Sequence, residues 1–535
     1  MGVSHRETYL GEWRQMRTKK SLINIAISCG SYLICMVSTF IIRGMFSSII
    51  GEEYAGVESA FLNAISMLAV VELGIGTGIV YKLYRPIADG DTRQISLLLK
   101  FYKKAYSVIA AVVFAAGLVV AVFIPNAINE DFGHSWLSFI FILYLCDTLA
   151  SYLFANRRAM FVADQKNYVT TLCYTGAQLL GLVLQIIMLN TLPSLIGKAA
   201  SVAVYLCVRI TVRLVENISI GILFKKRYPD IDLKIKDNVS KDETSDLFTR
   251  IRALMVHKVT GLSLQATSSL IVTKLVDVVR GGFYGNYLLL SNAVNTIGTQ
   301  FFNGITASFG DLYVSSGKEA AYKRFKTIFF VNYMLYSFFA VSYFVISEPF
   351  VELWIGDENA VFSALTVSLM STYIYMYGIR QCIFVARNVT GEYTKDKWFA
   401  VGEALLNVVI GVFLVSKIGV IGIPIGNIIS TLAIPFWVQS RIVYKDIFGV
   451  RVREYFICYV RYFVVFIFAG GITYAVSNLL DTESLLLNFF VRVALCAIIP
   501  NLINVIVFWR TQEFGYIRGA AAGLLGRFKG ERSDK

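Results

Sequence analysis

The run Lys104-Ala-Tyr-Ser-Val-Ile-Ala-Ala-Val-Val-Phe-Ala-Ala-Gly-Leu-Val-Val-Ala-Val-Phe-Ile-Pro125 has no charged residue after its first, and the next charges are Glu130 and Asp131. A helix of roughly 20 such residues, rising about 1.5 Å per residue, crosses a hydrocarbon core about 30 Å thick and satisfies its backbone hydrogen bonds internally. The run is basic at one end, Lys103-Lys104, and acidic at the other. It therefore predicts a transmembrane helix and its direction, with the Lys end cytoplasmic.

The same grammar recurs along the chain. Of 535 residues, 56% are hydrophobic and 16% charged, with a mean hydropathy of +0.62, a composition foreign to a water-soluble protein of this length. The apolar periodicity predicts about fourteen spans: 21–46, 54–82, 101–124, 136–156, 167–190, 197–223, 252–275, 284–312, 325–347, 360–386, 398–416, 419–439, 455–478 and 484–509. Trp136, Trp354, Trp398, Trp437 and Trp509 fall at or near their ends, where interfacial anchors belong. Ser21 to Phe46 reads as a retained first span, since no cleavage pattern follows a short apolar core.

The formal charge of +14 raises the possibility of a nucleic-acid partner, but the basic residues alternate by loop. The first 20 residues, Lys82 to Lys104, Arg157 to Lys166, Lys225 to Arg252, Lys318 to Lys326, Arg387 to Lys397, Arg441 to Arg453 and the tail after Arg510 are basic. Glu52-Glu53, Glu130-Asp131, Glu348 to Glu358 and Asp481 to Glu483 alternate with them. This is the positive-inside pattern of a multi-pass protein with both termini cytoplasmic, and no nucleic acid is called for. The eight Cys fall in apolar segments, which argues against a disulfide framework.

A weak internal repeat is present. Sliding the second span until Gly56 lies on Gly285 puts Asn63-Ala64 on Asn292-Ala293 and Leu83-Tyr84 on Leu312-Tyr313. This predicts two lobes of six spans in the same orientation: residues 1–224, a cytoplasmic linker 225–251, and residues 252–440. Two appended spans, 455–509, and a basic cytoplasmic tail, 510–535, follow.

Charges inside spans are expensive and require a reason. Arg209, Arg213 and Glu216 in the sixth span share one helical face near mid-membrane, and Asp147 in the fourth is similarly deep. A structural Asp147–Arg209 or Asp147–Arg213 pair and a substrate-binding role are both open, and they are compatible. Arg43 and Glu58 face one another near the outer ends of the first two spans, either neutralising each other or lining a cavity. Arg461 and Arg492, near membrane surfaces, read as snorkelling. In the second lobe Asn292, Asn295, Thr299 and Asn303 make a polar stripe, either for interhelical hydrogen bonding or for substrate. His257, Lys258 and Arg380, just inside the cytoplasmic face, could meet a phosphate or reach for lipid headgroups. Cations outnumber carboxylates in this buried set, which points to anionic cargo.

No G-x-x-x-x-G-K-[ST] loop occurs, and the three histidines, His5, His134 and His257, are too scattered for a metal site or catalytic triad. An enzyme is not expected, nor a cofactor. Coupling to an ion gradient, of unknown ion, is open.

Two regions carry a family resemblance: Ile251-Arg-Ala-Leu-Met-Val-His257-Lys258 through Ile271-Val-Thr-Lys274, and Gly285-Asn-Tyr-Leu through Asn292-Ala to Gly304-Ile-Thr-Ala-Ser-Phe-Gly310-Asp-Leu-Tyr313. These are similar to the second-lobe opening of polysaccharide-biosynthesis flippases, the Wzx-like branch of the multidrug/oligosaccharidyl-lipid/polysaccharide exporter (MOP) superfamily. The resemblance implies a V-shaped pair of helix bundles of the MATE type, an all-α polytopic fold working by alternating access in a bacterial cytoplasmic membrane. It also implies a cargo of undecaprenyl-diphosphate-type lipid-linked oligosaccharide, surrounding membrane lipid, and a polymerase and glycosyltransferases of the same pathway as partners. Members often carry an acid in the polar middle of the seventh span, where this chain reads Ala266-Thr-Ser-Ser-Leu270, so ion coupling there is in doubt. The alternatives are a peptidoglycan-precursor or teichoic-acid flippase, a cation-coupled multidrug exporter, and a non-transporting envelope-assembly scaffold.

Overall fold

The apolar runs fold as helices, and no strand occurs among the described residues. The computed structural model describes residues 27–28, 30–68, 80, 82–83, 86–87, 89–128, 132–164, 166–235, 237, 267–390, 395 and 397–519. The chain forms two compact units, Met1–Gly282 and Phe283–Lys535.

In the first unit the helices are α1 (Gly30–Ile49), α2 (Glu52–Leu68), α3 (Thr92–Phe123), α4 (His134–Tyr152), α5 (Ala155–Ala163), α6 (Asn167–Ile196) and α7 (Lys198–Arg227). α3 starts well before the expected 101. Asp91 caps it by accepting from the Gln94 amide at 2.9 Å, and Ile95, Leu98 and Leu99 are buried. A charge-based boundary overlooks this amphipathic extension because its polar face interrupts the hydropathy. Gly197, at φ +80°, makes the turn between α6 and α7, a left-handed conformation that suits glycine. One core joins Phe46, Phe61, Phe141, Tyr144, Tyr205 and Val278. A second joins Tyr102, Tyr106, Ile109, Met160, Phe161 and Phe224.

Residues 267–275 are helical, and α8 (Val278–Ile355) follows, broken at Gly317 (φ 78°, ψ 178°). The expected spans 284–312 and 325–347 fall on either side of that break. Residues 267–282, which the sequence division assigns to a second lobe, lie in the first unit. There a Cβ on Gly56 would stand 2.0 Å from the Val278 carbonyl oxygen.

The second unit continues with α9 (Ala364–Ile379), α10 (Gln381–Thr390), α11 (Lys397–Ile418), α12 (Gly422–Ala433), α13 (Pro435–Arg441), α14 (Val452–Leu479) and α15 (Leu485–Phe508). α14 and α15, read in the sequence as appended, are built into this unit's aromatic core. Tyr462 stacks on Tyr333 with centroids 4.3 Å apart, and Phe466 stacks on Tyr375 at 4.3 Å. The Tyr333 hydroxyl donates to Asn504 Oδ1 at 2.5 Å. The Tyr336 ring lies where a Cβ on Gly378 would sit 1.8 Å from it, and one on Gly298 2.1 Å from its hydroxyl.

Eight described helices are long and apolar enough to cross a membrane. Their outer surfaces expose Val119, Val122, Leu486, Phe490, Ile498 and Ile506, which lipid covers and water would not. The chain is a multi-pass membrane protein. Arg492 departs from the snorkelling reading: it is buried, and its Nη1 meets Glu348 Oε2 at 2.9 Å. Arg461 is exposed and lies over the Tyr462 and Phe508 rings.

Candidate functional site: a buried charge ladder in the first unit

Helical periodicity explains how the first-unit charges meet. Arg209, Arg213 and Glu216 project from one face of α7, toward Asp147 on α4 and Glu58 on α2. The chain of contacts begins at α1. Arg43 Nη1 meets Glu58 Oε2 at 3.0 Å and donates to the Ala55 carbonyl at 3.1 Å. Its Nη2 donates to Ser59 Oγ at 3.1 Å and to the Gly282 carbonyl at 3.3 Å. Glu58 Oε1 accepts from Arg209 Nη1 at 3.2 Å, and Arg209 Nη2 meets Asp147 Oδ2 at 3.0 Å. Asp147 Oδ1 stands 3.8 Å from Arg213 Nε, beyond a hydrogen bond. Arg213 Nη1 reaches Glu216 Oε2 at 3.3 Å, and Arg158 Nη2 holds Glu216 Oε1 at 2.9 Å.

Cation and carboxylate thus alternate: Arg43, Glu58, Arg209, Asp147, Arg213, Glu216, Arg158. Glu58, Asp147 and Glu216 are buried. Such charges persist in a low-dielectric interior only when paired. Tyr144 and Tyr205 present ring faces to the Arg209 guanidinium, with centroids 5.4 and 6.0 Å from its carbon. Among the described residues of the ladder, four guanidiniums against three carboxylates leave one positive charge in surplus.

Of the residues expected at a site, Arg43, Asp147, Arg209 and Arg213 come together here. Arg43 pairs with Glu58, and of the two pairings open to Asp147 the one with Arg209 is at hydrogen-bond distance. His257 and Lys258 lie outside the described residues, as does Ala266. Arg380 belongs to the second unit, where it is buried: Nη1 meets Glu403 Oε1 at 3.0 Å, and Nε donates to Gln439 Oε1 at 3.1 Å. Asn292 and Asn295 sit on α8, the first exposed and the second half-buried.

Arg158 and Glu403 are the residues that sequence reasoning missed. Arg158 follows Arg157 in a basic run and was assigned to the cytoplasmic loop. On helix α5 neighbours diverge by about 100°, and the two part company. Arg157 lies over the Phe154 ring at 4.2 Å, in space left by Gly221, while Arg158 turns to Glu216. Glu403 is the one acidic residue in the apolar run 398–416, a usable signal once a partner for Arg380 is sought.

The helical fold is similar to that of several solved membrane transporters. A multidrug resistance MATE family transporter in an inward-facing conformation superposes with a TM-score of 0.61 at 13% identity, covering 79% of this chain and 98% of its own. The lipid II flippase MurJ, in an inward closed conformation, superposes with a TM-score of 0.60 at 13% identity, covering 91% of this chain and 99% of its own. A MATE transporter in a bent conformation gives 0.53 at 16% identity, covering 80% and 97%. No family model and no curated protein matches the sequence.

Proposed function

We propose that the chain flips a polyprenyl-diphosphate-linked oligosaccharide from the cytoplasmic to the outer leaflet of a bacterial cytoplasmic membrane, by alternating access, for surface polysaccharide assembly. The carrying observation is the ladder in the first unit, whose cations exceed its carboxylates by one. A diphosphate headgroup is the anionic part of such a cargo, and guanidiniums present planar pairs of donors to phosphate oxygens. The reading is compatible with the fold, which is similar over 91% of this chain to that of a lipid II flippase.

In this proposal Arg209 and Arg213 face the diphosphate, and His257 and Lys258 receive it from the cytoplasmic side. The two lobes of six spans, with both termini cytoplasmic, carry the alternation. Asp147 and Glu58 hold the cations in place and, with Glu216, offset all but one of the ladder's positive charges. Arg43, wholly engaged with Glu58, Ser59 and two carbonyls, fastens the outer end of the unit.

The test is flipping in proteoliposomes carrying a fluorescent polyprenyl-diphosphate disaccharide, with surface label quenched by dithionite. Arg213→Gln, which gives up one hydrogen bond of 3.3 Å to Glu216, should abolish flipping while inserting and purifying normally. Flipping at the native rate by this variant would refute the reading. Transport of a cationic dye with no movement of the lipid probe would favour an exporter.

A further inference from the structure

The ladder's geometry shows where its surplus charge resides. Glu58 is taken by Arg43 and Arg209, and Asp147 commits Oδ2 to Arg209. Arg213 has the weakest hold on any carboxylate: one hydrogen bond, at 3.3 Å to Glu216. Its Nε is buried without a hydrogen-bond partner, and its side chain is 26% exposed. What keeps Glu216 from closing on it is Arg158. That guanidinium grips Glu216 Oε1 at 2.9 Å and, through the same Nη2, Asn217 Oδ1 at 2.7 Å. Its Nη1 is anchored on the Ser151 carbonyl at 3.1 Å. Asn217 is fully buried, and its amide donates to the Ala150 carbonyl at 2.7 Å. That bond fixes which end of the amide faces Arg158.

The geometry points to Arg158 as a positioning residue that sets the charge of Arg213: by holding Glu216 it leaves Arg213 with unspent N–H donors for a phosphate of the substrate. Arg158 need not touch the substrate. Without it, Glu216 lies i,i+3 from Arg213 on the same helix and is free to swing fully onto that guanidinium. The ladder then stands at three against three, with no surplus. This inference rests on the diphosphate reading above.

The experiment measures binding of farnesyl diphosphate, with farnesol as the uncharged control, to the full-length purified chain in micelles by isothermal titration calorimetry. Arg158→Gln is expected to weaken binding by about tenfold or more, the scale of one charge-assisted hydrogen bond. Arg158→Gln/Glu216→Gln removes one charge of each sign, restores the surplus to Arg213 and should recover affinity to within about threefold, the scatter expected of context effects. Glu216→Gln alone should bind at least as tightly as the native chain. A purely structural role for Arg158 would not be rescued by a second neutralisation, so a double variant as weak as R158Q overturns the inference. If R158Q does not fold, weaker binding by E216Q overturns it and equal or tighter binding supports it. No binding by the native chain, or native affinity in Arg213→Gln, counts instead against the diphosphate reading itself.

Discussion

Neutralising Glu403 alone should damage the protein more than neutralising Glu403 and Arg380 together. Both side chains are nearly inaccessible, at 4% and 9% exposure, and they meet at 3.0 and 3.4 Å through both guanidinium nitrogens. Gln439 accepts from the remaining Nε, so both Nη groups rely on the Glu403 carboxylate. In Glu403→Gln a buried cation keeps one neutral amide oxygen in place of two charged ones, a change that costs about 3–5 kcal/mol. In Arg380→Gln/Glu403→Gln no charge remains, and the facing amides can hydrogen-bond to each other and to Gln439. A coupling of at least about 2 kcal/mol is therefore expected across the double-mutant cycle. Unfolding in mixed micelles titrated with SDS gives the four free energies. The reasoning is refuted if the single variants lie within about 1 kcal/mol of the native chain, or if the double variant is destabilised by the sum of the singles.

Packing and hydrogen bonding give further expectations. Gly378→Ala places a Cβ 1.8 Å from the Tyr336 ring and should lower stability by about 1–3 kcal/mol; an unchanged unfolding midpoint would contradict that. Arg43→Lys keeps the charge but loses the fork that serves Glu58, Ser59 and the Ala55 and Gly282 carbonyls at once. It should behave nearly as badly as Arg43→Gln in the same unfolding assay, because a point charge does not replace planar donors. Tyr333→Phe removes the hydroxyl bonded to Asn504 while keeping the stack on Tyr462, at a cost of about 1 kcal/mol; Tyr333→Leu, which also loses the stack, should cost more.

Much of this architecture is legible in one dimension because the bilayer constrains helices by length. The run from Ala105 to Phe123 has few alternatives to a crossing helix, and the i, i+4, i+7 spacing of Arg209, Arg213 and Glu216 places them on one face whatever the fold. Asp147 was recognisable as their partner because a mid-membrane carboxylate needs one. The illegible parts are those where depth or direction depends on a neighbour. Arg158 looks like its neighbour Arg157 in a list of loop cations, and only the turn of α5 sends them to different partners. Arg492 lies near enough to a surface to snorkel in principle, but its own side chain is buried, held by the Val345 carbonyl and by a half-exposed Glu348. The start of α3 was misjudged for a related reason: hydropathy reports the lipid-facing length, whereas Ile95, Leu98 and Leu99 bury themselves against protein beyond it. Which guanidinium is left under-engaged depends on distances of 3.0 against 3.8 Å at one aspartate, which no spacing rule supplies.

The central claim concerns the cargo, and the most direct measurement is made in the host. Deleting the gene and quantifying extracted lipids by mass spectrometry should show a polyprenyl-diphosphate oligosaccharide accumulating while the matching surface polysaccharide disappears. An unchanged lipid pool accompanied by heightened sensitivity to cationic drugs would contradict the flippase account.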